Sequence, residues 1–389
     1  MKPLCLPVLL LLASRSWCQE GLEDNGQSNL VGLSFTGKIE LDSTAFSPNS
    51  ELSSSYKLED DNLEIRRMRL SASGITEEFR FRSTLDFSDQ GFRDLYLELQ
   101  EWDGPGKLRI GHFREPILFE AMTSADNILF MERSQAVDLS PGRNLGLMAH
   151  DISGQQSLSW SLGAFYSTES PVLDFKSGGA SALAMTGRLH WHSEGQFGFG
   201  NWQSGNLQAS SGVAASLRFP HDNTYSFTVG GEISSAPALL STGPVVADSV
   251  RQLSAEMAIV DGPFTALAEA ILSNDSGGDD EHSFFAASAQ LGWVLVGAGR
   301  RIIPGRVSFD SPGGGGDSDR HTVVWEVAAR SSWADLNSRN IQAGIATVDT
   351  LALSAHLSPQ VVVRVEWNRV NVEETGSADV FQARVHVGF

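Results

Sequence analysis

Apolar and polar residues alternate along most of this chain, in segments of about ten residues that end at turns rich in Gly, Asp, Asn, Ser and Pro. In residues 79–87, the apolar positions are Phe79, Phe81, Leu85 and Phe87. The same period of two appears in residues 94–100, 186–192, 325–333 and 361–368. Because successive side chains of a strand point to opposite faces, each segment predicts a β-strand between an apolar and a polar environment.

Two all-β architectures provide such a pair of environments. A soluble sandwich turns its apolar faces inward, whereas a membrane barrel turns them outward and surrounds water with its polar faces. Three observations favour the barrel: the alternation continues to the last residue, the segments match the length of a tilted membrane strand, and tryptophans lie largely near segment ends. We predict an all-β fold, a closed antiparallel transmembrane β-barrel formed by residues 19–389, with 16 strands; the length also allows 14 or 18.

The C-terminal segment, residues 381–389, alternates to its end at Phe389. It resembles the signal that outer-membrane barrels present to the barrel-assembly machinery, which is therefore an expected partner. An apolar last strand would be an exposed edge in a sandwich, but in a closed barrel it pairs with the first strand. We expect that first strand near residues 31–43.

The N-terminus has the pattern of a secretory signal peptide over residues 1–18. Lys2 precedes an apolar run, and Ser16 and Cys18 stand where signal peptidase would cleave before Gln19. The run is shorter than the ~20 residues that a membrane-spanning helix needs. A membrane anchor and a lipoprotein are the alternatives. Export to the cell outer membrane is predicted, and cleavage would leave a chain without cysteine.

A long connection, roughly residues 114–143, separates two predicted strands. Loops of this length are uncommon unless they are functional. Residues 117–119 and 128–131 are apolar and would not be stable in water. We predict that this loop folds into the barrel lumen and constricts it; the alternative is a strand pair or short helix that packs elsewhere.

The polar faces of the neighbouring strands carry arginines. If the apolar faces meet lipid, these side chains line the lumen, where arginine favours anions and suits phosphate. The predicted pore-lining or anion-binding residues are Arg67, Arg69, Arg80, Arg82 and Arg109 on the strands, and Arg114, Arg133 and Arg143 in or beside the loop. Asp86, Asp94 and Glu98 share these faces, so the alternative is that ion pairs stiffen the wall.

Composition narrows the function further. The formal net charge of −19 argues against a general nucleic-acid binder, because phosphate neutralisation needs a basic surface. Much of the acidic charge lies in candidate loops, residues 59–61 and 279–281. Neither G-x-S-x-G nor H-E-x-x-H occurs in the sequence. We therefore predict no enzymatic activity, no cofactor and no metal site.

Three blocks of the sequence are similar to the phosphate-selective porin O and P family: residues 63–74, residues 106–116, and residues 130–134 with 141–146. The resemblance implies a 16-stranded outer-membrane barrel, usually a homotrimer, with an arginine-lined lumen and an inserted constriction loop. Outer-membrane lipid and lipopolysaccharide are then its surroundings, and small anions its permeants.

The predicted function is therefore that of an outer-membrane porin. Small hydrophilic solutes, in particular anions and phosphate, would diffuse passively and be selected at an arginine-lined constriction. Two alternatives belong to other classes: a non-conducting structural or adhesive outer-membrane barrel, and a secreted soluble β-sandwich that binds a ligand. Conductance separates the porin from both.

Overall fold

The computed structural model describes residues 32–48, 62–153, 157–168, 181–193, 207–278, 280–313 and 323–389. Sixteen strands within them form a closed barrel in which each strand pairs antiparallel with its neighbours in chain order. The strands are β1 Gly32–Pro48, β2 Asn62–Ile75, β3 Phe79–Asp86, β4 Gly91–Leu99, β5 Lys107–Arg114, β6 Arg143–Ile152, β7 Leu158–Thr168, β8 Ser181–His192, β9 Gln208–Pro220, β10 Ser249–Asp261, β11 Phe264–Ser276, β12 Ser283–Val296, β13 Val324–Ser338, β14 Ile341–Ser358, β15 Val361–Val372 and β16 Gly376–Gly388. The predicted fold class and strand number are confirmed. The predicted signal peptide and residues 59–61 lie outside the described residues.

The barrel closes where β1 pairs with β16, from Lys38 opposite Gly388 to Pro48 opposite Ala378. The main chain of Phe389 extends the closure, since its N–H donates to the carbonyl of Gly37 at 2.9 Å and its own carbonyl accepts from that residue at 2.7 Å. The last strand therefore has no free edge. The first strand begins near the predicted position and continues five residues further, to residue 48.

Exposure along the strands shows which face meets the membrane. On β2, Met68 and Leu70 are 37% and 45% exposed, whereas Arg67, which precedes Met68, is 3% exposed. On β16, Phe381 is exposed and Arg384 is buried. Apolar side chains thus cover the outside and polar side chains point inward. A soluble sandwich has the reverse arrangement, so this fold belongs in lipid.

The wall of the barrel is uneven. Strands β3, β4 and β5 have 8, 9 and 8 residues, whereas β12, β13 and β14 have 14, 15 and 18. At ~3.4 Å per residue, a strand of eight residues is roughly 27 Å long, and a tilt of about 45° reduces its height to roughly 19 Å. One sector of the wall is therefore lower than the hydrocarbon core of a bilayer, about 30 Å.

Three connections fold into the lumen, and they enter from both rims. Strand direction alternates, so the connections β5–β6 and β9–β10 leave one rim, which we call the loop rim. The connection β12–β13 leaves the other, the terminal rim, where β1 begins and β16 ends. We refer to these as the long loop (residues 115–142), the second loop (residues 221–248) and the terminal-rim connection (described over residues 297–313).

Short elements shape these connections. The long loop contains α1, Phe119–Met122, and α2, Gln135–Asp138. The other two contain two-stranded pairings: Thr224–Tyr225 with Val245–Val246, Thr228–Val229 with Leu240–Ser241, and Ile302–Ile303 with Ser308–Phe309. None of the described helices is long and apolar enough to cross a bilayer.

The apolar core lies inside the barrel, where the loops pack against the wall. Ile117 and Leu118 of the long loop are fully buried in one cluster with Val229 and Leu240 of the second loop and with wall residues such as Val348. The apolar segments of the long loop are therefore removed from water by folding inward, as predicted. Their burial provides the hydrophobic stabilisation that holds the loop inside the lumen.

Candidate functional site

The long loop crosses the lumen and is held by the opposite wall. The main-chain N–H of Met131 donates to Glu366 of β15 at 2.6 Å, and Arg364 of β15 donates to the carbonyl of Phe130 at 2.5 Å. Near the other end of the loop, Gln252 of β10 donates to the carbonyl of Leu139 at 2.7 Å. The loop is thus fixed at points far apart on the barrel.

The terminal-rim connection meets the long loop from the other side. The rings of Phe119 and Phe309 lie edge to face, with centroids 4.7 Å apart. Arg300 donates to the carbonyl of Asn127 at 2.5 Å and forms a buried ion pair with Glu326 of β13 at 2.6 Å. The lumen is therefore narrowed by elements from both rims.

The second loop packs against β13, on the side of the barrel opposite β3–β5, and against the long loop. Its Glu232 accepts hydrogen bonds from Arg330 and Ser332 of β13. The main-chain N–H of Gly230 donates to Asp138 of the long loop at 2.9 Å. Burial raises the pKa of Glu232 despite the nearby Arg330. The ion pair of Glu232 with Arg330 is therefore buried on this side of the lumen.

The predicted arginines lie on β2, β3, β5, the first residue of β6 and the long loop, and five of the eight have a carboxylate partner within 4 Å. The pairs are Arg67 with Glu40 and Glu132, Arg69 with Asp86, Arg80 with Glu98, Arg109 with Glu98, and Arg143 with Asp94. The acids that the sequence places on the same faces do form ion pairs here. For these five residues, part of the positive charge is compensated by the protein itself.

The other three are Arg82, Arg114 and Arg133, which have no carboxylate within 4 Å among the described residues. Arg133 donates instead to two carbonyls of its own loop, those of Glu120 at 3.1 Å and Thr123 at 2.6 Å. Burial and the nearby Arg67 lower the pKa of Arg133 to about 10, so it remains charged at neutral pH.

Two of these arginines, Arg82 and Arg114, lie with Arg143 around Asp94, below the loop rim. Arg143 donates to both oxygens of Asp94, and Arg82 and Arg114 act on the same carboxylate electrostatically. Arg114 is also within electrostatic reach of Arg133. We call Arg82, Arg114, Arg133 and Arg143 the arginine cluster. Arg82, Arg114 and Arg143 share the Asp94 carboxylate, and Arg133 adds a fourth guanidinium group within electrostatic reach of Arg114 and Arg143, so the cluster has an excess of positive charge and offers donors suited to an oxyanion.

Sequence reasoning missed three residues that lie beside this site: Arg66, Glu132 and Arg384. Both Arg66 and Arg67 reach inward, because the register of β1 and β2 shifts after Glu40 and leaves Arg66 as an extra residue. Alternation cannot reveal a bulge of this kind. Arg384, in contrast, lies on the polar face of the predicted last strand, so its inward direction could have been read from the pattern.

Within the part of the chain that the structure describes, one group of side chains has a geometry that could hold a metal ion: Glu40, Asp126 and His386. The ammonium group of Lys38 lies 2.5 Å from Asp126 and 3.8 Å from Glu40. A positive charge of the protein already occupies this position, so a cation would be repelled.

A closed antiparallel barrel with an apolar outer surface, a polar lumen and inserted loops defines an outer-membrane porin. The chain belongs to the phosphate-selective porin O and P family, whose model matches residues 49–354. The predicted family is thereby confirmed. Outer-membrane localisation follows from the family and the fold together.

Solved structures with a similar fold share little sequence with this chain. OmpT of Vibrio cholerae, folded in vitro, is 10% identical, with 93% of this chain and 100% of that chain covered and a TM-score of 0.56. An anion-selective porin from Comamonas acidovorans is 11% identical, with coverages of 92% and 99% and a TM-score of 0.52. The comparison with curated proteins gives no match.

Proposed function

We propose that this porin is a passive channel for small anions, phosphate among them, and that the arginine cluster selects them. The observation that carries the proposal is the excess of guanidinium groups around Asp94. Fixed positive charge at a constriction favours anions, and diameter limits their size. No bond is made or broken in this process, and no catalytic group is required.

The net charge of the chain does not oppose this selection. Exposed charges farther away than a Debye length, about 8 Å at physiological salt, are largely screened. Many acids on the far wall are buried in pairs with arginines, such as Glu326 with Arg300 and Glu256 with Arg188. A solute that passes along β3–β6 is therefore influenced mainly by the arginine cluster.

The assembly we propose is a homotrimer that uses the low sector of the wall, β3–β5, as its interface. A wall lower than the bilayer core leaves a hydrophobic mismatch that a neighbouring subunit can cover. OmpT of Vibrio cholerae, whose fold is similar, has been solved in a trimer form. Chemical cross-linking of the purified protein in detergent tests this arrangement, and a monomer at all concentrations would contradict it.

We also propose which partners the apolar outer surface and the C-terminal strand contact. Lipid and lipopolysaccharide cover the taller wall, and the strand that ends in Phe389 is the segment offered to the barrel-assembly machinery. Deleting Phe389 should reduce the yield of folded barrel in the outer membrane, because its two hydrogen bonds to Gly37 are lost. An unchanged yield would contradict this role.

The reversal potential of the purified protein in a planar bilayer across a KCl gradient tests selectivity directly. An anion-selective potential, together with a reduced chloride current when phosphate is added, is the expected result. A cation-selective potential would contradict the proposal. Inserted protein that produces no channels would support the non-conducting barrel, which is the second candidate because three connections narrow the lumen.

A further inference from the structure

Glu132 of the long loop sits between three arginines of the barrel wall. Arg66 donates to both of its carboxylate oxygens, each at 2.9 Å. Arg67 donates to the same two oxygens at 3.1 and 2.9 Å, and Arg384 of β16 donates to one at 2.7 Å. Three planar guanidinium groups around two oxygens are the donor set with which proteins bind phosphate and carboxylate ions.

The three arginines differ in their other partners. Arg67 also donates to Glu40 at 2.5 Å, and Arg384 also donates to Asp42 at 2.7 and 2.6 Å. For Arg66, Glu132 is the one carboxylate bonded to it in the described part of the chain. Arg66, Arg67 and Arg384 are therefore balanced by Glu40, Asp42 and Glu132, and removal of Glu132 would leave one positive charge in excess.

We propose that Arg66, Arg67 and Arg384 form a second oxyanion site, which Glu132 occupies as a tethered anion. This inference rests on the proposed anion channel, and it identifies Glu132 as a residue that determines the channel's selectivity. The carboxylate oxygens of Glu132 stand where the oxygens of a phosphate, sulfate or carboxylate ion would bind. Glu132 directly precedes Arg133. When Glu132 is bound to the three arginines, it therefore also holds Arg133 of the arginine cluster in position.

The site is enclosed but remains in contact with the lumen. The side chains of Arg66 and Glu132 are 22% and 14% exposed, whereas those of Arg67 and Arg384 are 4% and 5% exposed. An ion could therefore approach from the side of Arg66. Burial alone would raise the pKa of Glu132, but Arg67, Arg66 and Arg384 hold it well below its ordinary value, so mild acid does not neutralise the tethered anion.

The experiment compares the wild type with Glu132→Gln, Glu132→Asp and the matched control Glu101→Gln. Glu101 is an exposed acid in the turn after β4, away from the long loop. Two quantities are measured in planar bilayers: the reversal potential across a KCl gradient, and the phosphate concentration that halves the chloride current. Glu132→Gln should shift the reversal potential towards anions and lower the half-blocking phosphate concentration. Glu132→Asp, which keeps the negative charge, should shift both quantities less than Glu132→Gln does, and Glu101→Gln should keep wild-type values.

A variant that neutralises one of the partner arginines makes the test independent of whether Glu132→Gln folds. Arg66→Gln leaves Glu132 with fewer positive partners and should shift the potential towards cations. The double variant Arg66→Gln with Glu132→Gln restores the charge balance and should return to the wild-type potential. Folding of each variant is verified by its heat-modifiable migration in electrophoresis.

The outcomes separate this inference from the proposed function. Equal potentials and equal phosphate block in folded Glu132→Gln and wild type would overturn the second site. So would a Glu132→Gln shift that the double variant does not reverse. A cation-selective wild type would contradict the proposed function alone, because the effects of the variants are measured relative to the wild type.

Discussion

Arg143 donates two hydrogen bonds to Asp94, at 2.9 and 3.3 Å, and thereby connects the first residue of β6 with the middle of β4. The pair stands where the long loop returns to the wall. Asp94 compensates only part of the positive charge that gathers there, since Arg82 and Arg114 share the same carboxylate. The geometry therefore combines a rigid loop attachment with a local excess of positive charge.

Neutralising the arginines that lack a carboxylate partner should have the largest effect on selectivity. At 6 Å, one unit charge attracts an anion by roughly 0.7–3 kcal/mol for effective dielectric constants between about 80 and 20. The triple variant Arg82→Gln, Arg114→Gln and Arg133→Gln should therefore lose most anion preference in the reversal-potential measurement. Arg369→Gln, which removes an exposed arginine paired with Asp379, is the matched control and should leave selectivity unchanged. Equal selectivity of the folded triple variant and the wild type would argue against the arginine cluster.

Much of this architecture could be predicted because alternation is a local property. The side-chain period of two sets which face of a strand meets lipid, so the inward direction of Arg67 and Arg82 and the outward direction of Phe81 follow from the sequence. Barrel closure was predictable for the same reason: a last strand with an apolar face must pair with the first.

Pairing across the barrel could not be predicted in this way. Arg384 binds Asp42, which is 342 residues away, and the long loop meets Phe309 of a connection whose insertion has no local signature. These contacts depend on the register with which the strands pair and on the paths of the three connections inside the lumen. Neither produces a periodic pattern in the amino-acid sequence. The sequence therefore indicates which arginines line the wall, but not that Glu132 neutralises part of their charge.

The contact between Phe119 and Phe309 should control how far the lumen is closed. Both side chains are almost completely buried, and each Phe→Ala change should cost about 3–5 kcal/mol of local packing energy. Phe309→Ala should loosen the terminal-rim connection and raise the single-channel conductance in planar bilayers. Phe219→Ala on the exposed face of β9 is the control, with wild-type conductance expected. If Phe309→Ala conducts like the wild type while folded, the connection does not limit the pore.

Gly111 of β5 should tolerate no side chain. Its φ is +135°, and a Cβ atom there would lie 2.2 Å from the carbonyl oxygen of Leu95 and 2.7 Å from the Cα of Tyr96. Gly111→Ala combines backbone strain with a clash against main-chain atoms and should destabilise the barrel by about 1–3 kcal/mol or more. Gly142 lies next to β6, and a Cβ atom there would have no atom within 4 Å. Gly142→Ala is therefore the control and should leave the free energy of unfolding almost unchanged. Denaturant unfolding in detergent measures both, and equal midpoints would contradict the argument.

The contribution of Glu132 to stability should depend on pH in a defined direction. Its folded pKa lies well below the ordinary value of 4.5, because the pull of Arg67, Arg66 and Arg384 exceeds the effect of burial. A lowered folded pKa means that the stabilisation is complete above the unfolded pKa and is lost as the pH falls through the folded pKa.

The difference in unfolding free energy between wild type and Glu132→Gln isolates this residue from other titrating groups. Breaking a buried ion pair costs about 3–5 kcal/mol, so a difference of this order should hold from pH 7.5 to pH 5 and decrease only in stronger acid. Denaturant unfolding at a series of pH values gives the difference directly. A difference that already decreases between pH 7 and pH 5 would mean that Glu132 is not held ionised by the three arginines, and the loop would then be anchored mainly by its apolar contacts.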